Sequence, residues 1–145
     1  MASNAILLAG EYTKVQSLSL AAGQTPKPGQ VLMMNTAGAL TVNTVLTGPI
    51  VPYLVLEDAL QGKTVADAYT AATVVDCAIP MSGAIVQVLV VAGENIAIGD
   101  RMGSTAAGKF AELDSTTTHP LCIALEAQDL SGSGAVDTLT KARWI

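Results

Sequence analysis

KVQSLSLAAGQTPKPGQVLMMNTAGALTVNT, Lys14–Thr44, is answered about 70 residues later by AIVQVLVVAGENIAIGDRMGSTAAGKFAELD, Ala84–Asp114. Without a gap, Gly23 falls on Gly93, Gly29 on Gly99, and Gly38 on Gly108. Apolar positions fall on apolar positions: Val15 on Ile85, Leu18 on Val88, Leu20 on Val90, Leu32 on Met102, Leu40 on Phe110. One residue of slippage later, Leu54-Val55-Leu56-Glu57 meets Ile123-Ala124-Leu125-Glu126. The repeated unit reads strand, Gly turn, short segment, Gly turn, strand, Gly turn, strand. What is duplicated is where the backbone turns, so the repeat specifies a framework and no chemistry. Its units run about 14–57 and 84–126, inside a duplicated domain over 14–130, with an N-terminal arm over 1–13 and a C-terminal tail over 131–145.

Working outward, most segments read as short strands. Val15–Ala22 alternates, with Leu18, Leu20 and Ala22 on one face and Ser17 and Ser19 on the other. Pro26 and Pro28 exclude helix and central strand between Gly23 and Gly29. Val31–Met34 with Ala39–Val42, and Arg101–Ser104 with Lys109–Leu113, read as hairpins. Pro49 and Pro52 bracket an irregular crossing before the strand Tyr53–Leu56. Thr64-Val65-Ala66-Asp67 has capping-box form, so the one helical expectation is a piece of two turns at most over Thr64–Tyr69. Thr73–Ile79 returns to strand. Val86, Val88 and Val90 alternate with Gln87, Leu89 and Val91, apolar on both faces, which makes this strand more central than Val15–Ala22. Ser115–Thr118 is a polar loop, Leu121–Glu126 the last core strand, and Ser131–Gly134 a Gly/Ser tract. Ala135–Ile145 is an exposed tail, or a final strand closing with Trp144. Short strands at this spacing mean an all-β sandwich or barrel, mainly β with at most one or two short helices.

A chain of 145 residues is one ordinary domain. Half of it is apolar but only 3% is aromatic, so the core must be built from Val, Leu, Ile, Ala and Met. Charged residues make up 13%, about half the usual share, which implies that much of the surface is covered, by glycosylation, a membrane or other protein subunits. The longest apolar run, Ala84–Ala92, is far short of the ~20 residues of a membrane-spanning helix. The start, MASNAILLAGEYTK, lacks the basic flank and long apolar stretch of a signal peptide. Synthesis in a cytosol is therefore expected, with no membrane partner. A net charge of −5 and scattered Lys and Arg argue against nucleic acid.

Residues that could carry chemistry are few. Cys77 and Cys122 lie in apolar strand-like runs and read as reduced core residues; with one histidine they make no zinc site. His119, between a Thr run and Pro120, reads as a turn. Glu57-Asp58 and Glu126…Asp129 leave apolar strands toward solvent and read as solvated ends or partners of Arg101 or Lys63. No Ser or Cys stands in a nucleophile-elbow pattern, and GSTAAG at Gly103–Gly108 lacks the GK[ST] of a phosphate loop. The expectation is no enzyme, no cofactor and no metal. Were the chain instead a small-molecule or glycan-binding β-domain, its site would lie among Glu57, Asp58, Glu126 and His119, with scarce aromatics counting against glycan stacking.

Over Val55–Asp129 the chain resembles the tailed-bacteriophage head decoration (capsid cement) proteins. The residues that carry the resemblance are Gly62-Lys63 through Asp67-Ala68-Tyr69, the AGENIAIGD unit Ala92–Asp100, the turn Ala106–Lys109 and the closing strand Ile123–Glu126. The resemblance implies a compact β-tulip or barrel-like domain, trimeric, on the outer capsid face of the virion. There it would clamp neighbouring major capsid protein subunits without catalytic residues. Contacts to capsid or sister subunits are expected from the ends of the chain: Ile6, Leu7 and Leu8, which have no partner in the repeat, and Trp144 and Ile145. Strand addition to a neighbour would suit the first three and interface burial the Trp; capping their own subunit's core is the other reading. Gly23, Gly29, Gly38, Gly93, Gly99 and Gly108 are expected to serve as structural turns.

Overall fold

A computed structural model describes residues 5–44, 51–71, 73–113 and 119–145. The Ser115–Thr118 loop, part of the Pro49–Pro52 crossing and the start of the N-terminal arm lie outside the described residues. The strands are β1 (Leu7–Ala9), β2 (Tyr12–Ser19), β3 (Val31–Met34), β4 (Leu40–Val42), β5 (Tyr53–Val55), β6 (Val74–Pro80), β7 (Ile85–Val90), β8 (Asn95–Ile96), β9 (Arg101–Ser104), β10 (Phe110–Glu112), β11 (Cys122–Ala124), β12 (Gln128–Asp129) and β13 (Thr138–Trp144). The fold is all-β. Among the described residues the helical content is one 3₁₀ turn, Ala59–Gln61, capped by Asp58 and ended by Gly62 in the left-handed region.

The duplication is visible strand by strand. In the second half β7 pairs with β10, β10 with β9, β9 with β11, β11 with β13, and β13 back with β7, closing a five-stranded barrel. The first half runs β2–β6–β5–β3–β4, and a parallel bridge from Leu20 to Leu40 returns β4 to the end of β2. Seventy residues on, the parallel pairing of Val90 with Phe110 closes the second barrel in the same way.

Side chains that buttress the backbone are duplicated too. Gln24 Oε1 accepts the Val42 amide as Glu94 Oε2 accepts that of Glu112. Gln30 Oε1 accepts from Lys27 N as Asp100 Oδ2 accepts from Ala97 N. Asn35 Oδ1 and Thr105 Oγ1 each accept the amide two residues on, at Ala37 and Ala107. These polar residues satisfy backbone donors at turns, which explains why polarity survives in both copies while the residue type drifts.

Two expectations need correction. The segment 131–145 is not a tail; its alternative reading, a final strand closing with Trp144, holds, since Thr138–Trp144 pairs with β7 along six residues and with β11 along three. It is the second copy of Val74–Pro80: Leu89 faces Leu139 across β7–β13 as Ser19 faces Val74 across β2–β6. Thr64–Tyr69 forms no helix. The capping contacts exist, with Asp67 Oδ2 accepting from Thr64 N and Oγ1 at 2.8 and 2.9 Å, and they hold the Asp67 carboxyl below its ordinary range. The chain then leaves the turn because Pro26 O takes the Tyr69 amide and Leu56 O takes its hydroxyl.

The period-2 alternation of strand side chains divides the core. Leu20, Leu32, Leu40, Val55, Val75 and Cys77 fill the first barrel. Their strand neighbours Val31, Leu54 and Ala78 join Val86, Val88, Val90, Met102, Phe110, Cys122, Ala142 and Trp144 in a larger cluster, so the outer wall of the first barrel is part of the second barrel's core. Thr140 occupies in the second barrel the place Val75 holds in the first, and its buried hydroxyl has no hydrogen-bond partner. Thr140→Val is expected to raise stability by about 1 kcal/mol, because it removes an unsatisfied polar group at nearly constant shape; a lower midpoint in urea would contradict this.

An ion pair, Lys109 Nζ to Asp137 Oδ2 at 2.7 Å, lies at the edge of the second barrel. Burial pushes the Asp137 carboxyl up, but the bond from Lys109 and the Ala92 amide outweigh it and hold the carboxyl below its usual range. A depressed carboxyl contributes stability above its unfolded value near 3.9 and loses it as pH falls through the folded value. Asp137→Asn is therefore expected to lower Tm a few degrees at pH 7, on the order of 0.5–1 kcal/mol for a partly exposed pair. The gap between mutant and parent should narrow as pH falls through the lowered folded value, below the usual carboxylate range; a gap unchanged by acid would refute it.

Candidate functional site

The residues expected to reach neighbours fall into two groups. Ile6 and Trp144 are buried in their own chain, at 0% and 4% exposure. The Ile6 amide bonds Glu57 Oε2 at 3.1 Å, its carbonyl accepts from Gln87 N, and Leu7 and Ala9 pair with β7. Trp144 sets its ring edge-on against Phe110, 6.3 Å between centroids. The apolar character of both is thus accounted for within the subunit, which is a correction to their assignment as outward contacts. Leu7 and Leu8 are half-buried, Leu7 packing against the larger core cluster. Ile145 remains at the surface, and the chain nearby also exposes Tyr12 and Met81: Tyr12 pairs with Pro80, Met81 N bonds Glu11 O, and Gly83 N bonds Trp144 O.

The candidate carboxylates do not converge. Glu57 holds the Ile6 amide, Glu126 Oε1 holds the Lys141 amide at 2.7 Å, and Asp58 caps the 3₁₀ turn. His119 is exposed. Each acid satisfies backbone at a strand end, an outcome that neither a solvated end nor an ion pair anticipates. No group of three or more His, Cys, Asp or Glu that could hold a metal exists among the described residues. Both cysteines are free and buried. Burial, with the Asp76 carboxylate adding to it, pushes the Cys77 thiol up to about 12, and burial raises that of Cys122. Neither thiol is expected to react with Ellman's reagent until denaturant is added, and Tm should be indifferent to reductant; a Tm that falls with dithiothreitol would contradict it.

Between β5 and β6 the first half carries a longer excursion than the second has between β11 and β13. There Asp58, Gln61, Lys63, Asp67, Tyr69 and Thr73 border an open cavity of about 330 Å³. It includes Asp58 from the acidic set but not Glu57, Glu126 or His119.

The six framework glycines all have φ between 71° and 103°. Their surroundings differ between copies. Gly29 and Gly108 are buried where the barrels meet, whereas Gly38 and Gly99 are exposed. Gly108 O accepts from Val31 N at 2.8 Å, Ala107 O from Gln30 Nε2 at 3.0 Å, and Gly29 O from Leu89 N at 3.0 Å. The second barrel's Thr105–Gly108 turn is therefore seated on the Gly29–Val31 rim of the first. That turn was legible as a hairpin, but its seat was not, because the duplicated sequences give both turns the same local form.

No protein-family model matches the sequence, and no curated protein matches it. Among solved structures the chain is similar to the head fiber gp8.5 N base of bacteriophage phi29, with a TM-score of 0.58 at 13% identity, over 93% of this chain and 95% of that one. At that identity the likeness is one of fold, and it extends over both barrels.

Proposed function

We propose that the chain is a virion structural protein of a tailed phage, one that binds the outer capsid surface and stabilises the shell by bridging major capsid protein subunits. The observation that carries this reading is the shared fold with a phage head fiber base, end to end through the duplication. The decoration-protein resemblance of Gly62–Tyr69, Ala92–Asp100 and Ile123–Glu126 points the same way from sequence. The mechanism is linkage: a ligand that binds the assembled shell and not its dissociated parts stabilises the shell by mass action. Homotrimeric attachment multiplies weak contacts into tight binding through effective concentration. No catalysis, cofactor, nucleic acid or membrane enters this reading, and synthesis is in the host cytoplasm.

Sedimentation tests it. Purified protein mixed with expanded capsids of the phage that encodes it should pellet at a fixed ratio to the capsid protein and raise the temperature at which the shells come apart. Protein that stays in the supernatant would refute it. The small-molecule reading has the cavity beside Tyr69 in its favour, and a shift in Tm with a glycan or metabolite panel, abolished by Asp67→Ala, is the result it requires.

A further inference from the structure

The contact between the two barrels uses one set of surfaces and leaves their duplicates open. The rim that is covered is Pro28-Gly29-Gln30-Val31, buried throughout. Its cover is the Ala107-Gly108 turn with Leu89 and Leu139 of β7 and β13: Leu89 N bonds Gly29 O, and a side chain at Gly29 would meet Leu139 Cδ2 at 2.7 Å. The duplicate of the rim is Ile98-Gly99-Asp100-Arg101, where Ile98 is 69% exposed, Gly99 and Arg101 are exposed and nothing lies within 4 Å of a Cβ built on Gly99. The duplicate of the cover is Ala37-Gly38 with Ser19 and Val74; all four are exposed, and the space around Gly38 is empty. Each chain thus ends in one open rim and one open cover, at opposite copies of the repeat.

We propose that these two open surfaces bind each other between copies of this chain, so that a second molecule's Ala37-Gly38 turn sits on the first molecule's Ile98–Arg101 rim and repeats the internal contact. The interface is head-to-tail. It rests on the self-association named under the proposed function and supplies its geometry. The substitutions between the duplicates fit it. The internal cover brings two leucines to a small Pro-Gly rim; the external cover offers the smaller Ser19 and Val74 to a rim enlarged by Ile98. Gln30, which donates to Ala107 O, is replaced by Asp100, which keeps the acceptor for the Ala97 amide but has no side-chain N–H to donate. The neighbouring Arg101 guanidinium is the donor left for Ala37 O. A head-to-tail contact closes into a ring or runs on as a filament; with three chains, as the proposed function has it, the ring would present six barrels in alternation.

Analytical ultracentrifugation of the full chain tests the interface without any capsid. Wild type is expected to sediment as the closed oligomer. Ile98→Asp spoils the rim and Ala37→Glu the cover, each at an exposed position, so each is expected to be a folded monomer with Tm within a few degrees of a monomeric reference. A 1:1 mixture of the two should form dimers and stop there, because only one rim and one cover remain intact. Monomeric wild type, oligomeric single variants, or a mixture that stays monomeric would each overturn the interface. If a variant unfolds, the milder pair Ile98→Ser and Val74→Ser replaces it under the same mixing criterion. Capsid pelleting of wild type is read separately, so failure of this interface and failure of the capsid reading are told apart.

Discussion

Deleting residues 138–145 is expected to abolish folding, and Trp144→Ala alone to cost about 3–5 kcal/mol, the range for removing a buried aromatic. The reason lies in how the second barrel closes. Strand β13 closes the barrel by pairing with both β7 and β11, so its loss leaves two open edges and uncovers Val86, Val88, Phe110 and Cys122, all fully buried. It also strips Trp144 from the face of Phe110. Because the first barrel's outer wall packs into the same cluster, the damage should not stay in one half. Total stabilities run about 5–15 kcal/mol, so the point variant should survive with Tm lowered by roughly 10 °C while the truncation has no reserve. Both variants remove the sole Trp, so far-ultraviolet circular dichroism is the check: Trp144→Ala should melt in one step at lower temperature, and the truncated chain should show no cooperative melt. A truncated chain that still melts cooperatively would restore the view of 131–145 as a tail.

Why the sequence left that strand open between a tail and a closing strand has a physical answer. Repeats are found by register, and the excursion between β5 and β6 is longer than its counterpart between β11 and β13. The 70-residue offset that aligns Val31–Met34 with Arg101–Ser104 and Leu40–Val42 with Phe110–Glu112 is therefore lost at the fifth strand. Composition gives no help either. VVDCAIP and TLTKARW share only an alternation of inward and outward positions, with Val75 answered by Thr140 and Cys77 by Ala142. The hairpins, by contrast, were legible nearly to the residue, because a tight turn demands particular backbone angles and so marks the chain with Gly, Asn and Thr. Acidic residues misled for a related reason. Glu57 and Glu126 looked like solvent-facing charges because an amide acceptor and a surface charge are the same letter in a sequence. Only the fold brings the Ile6 and Lys141 amides to them.

The same distinction between local form and tertiary place governs the second large effect. Gly38 and Gly108 have nearly the same backbone, φ of 79° and 71° at matching positions of matching turns. Local strain is therefore common to both, and Gly38→Ala should cost only what a left-handed alanine costs, about 1 kcal/mol. Gly108→Ala adds a collision. A Cβ there would lie 2.5 Å from Val31 O and 3.3 Å from Val42 Cβ, and the backbone can retreat only by breaking the Val31 N bond to Gly108 O. The seat of one barrel on the other would open, so the expected loss is about 3 kcal/mol or more, in the range of overpacked and strained buried sites. The comparison cancels glycine's general effect on the unfolded chain, since both variants carry the same Gly→Ala change. Chemical denaturation of the two variants under identical conditions, each in the monomeric Ile98→Asp background so that no second copy is seated on Gly38, decides it. Equal midpoints would mean that the Gly108 turn is free in solution, and with it would go the internal contact on which the barrels' shared core depends.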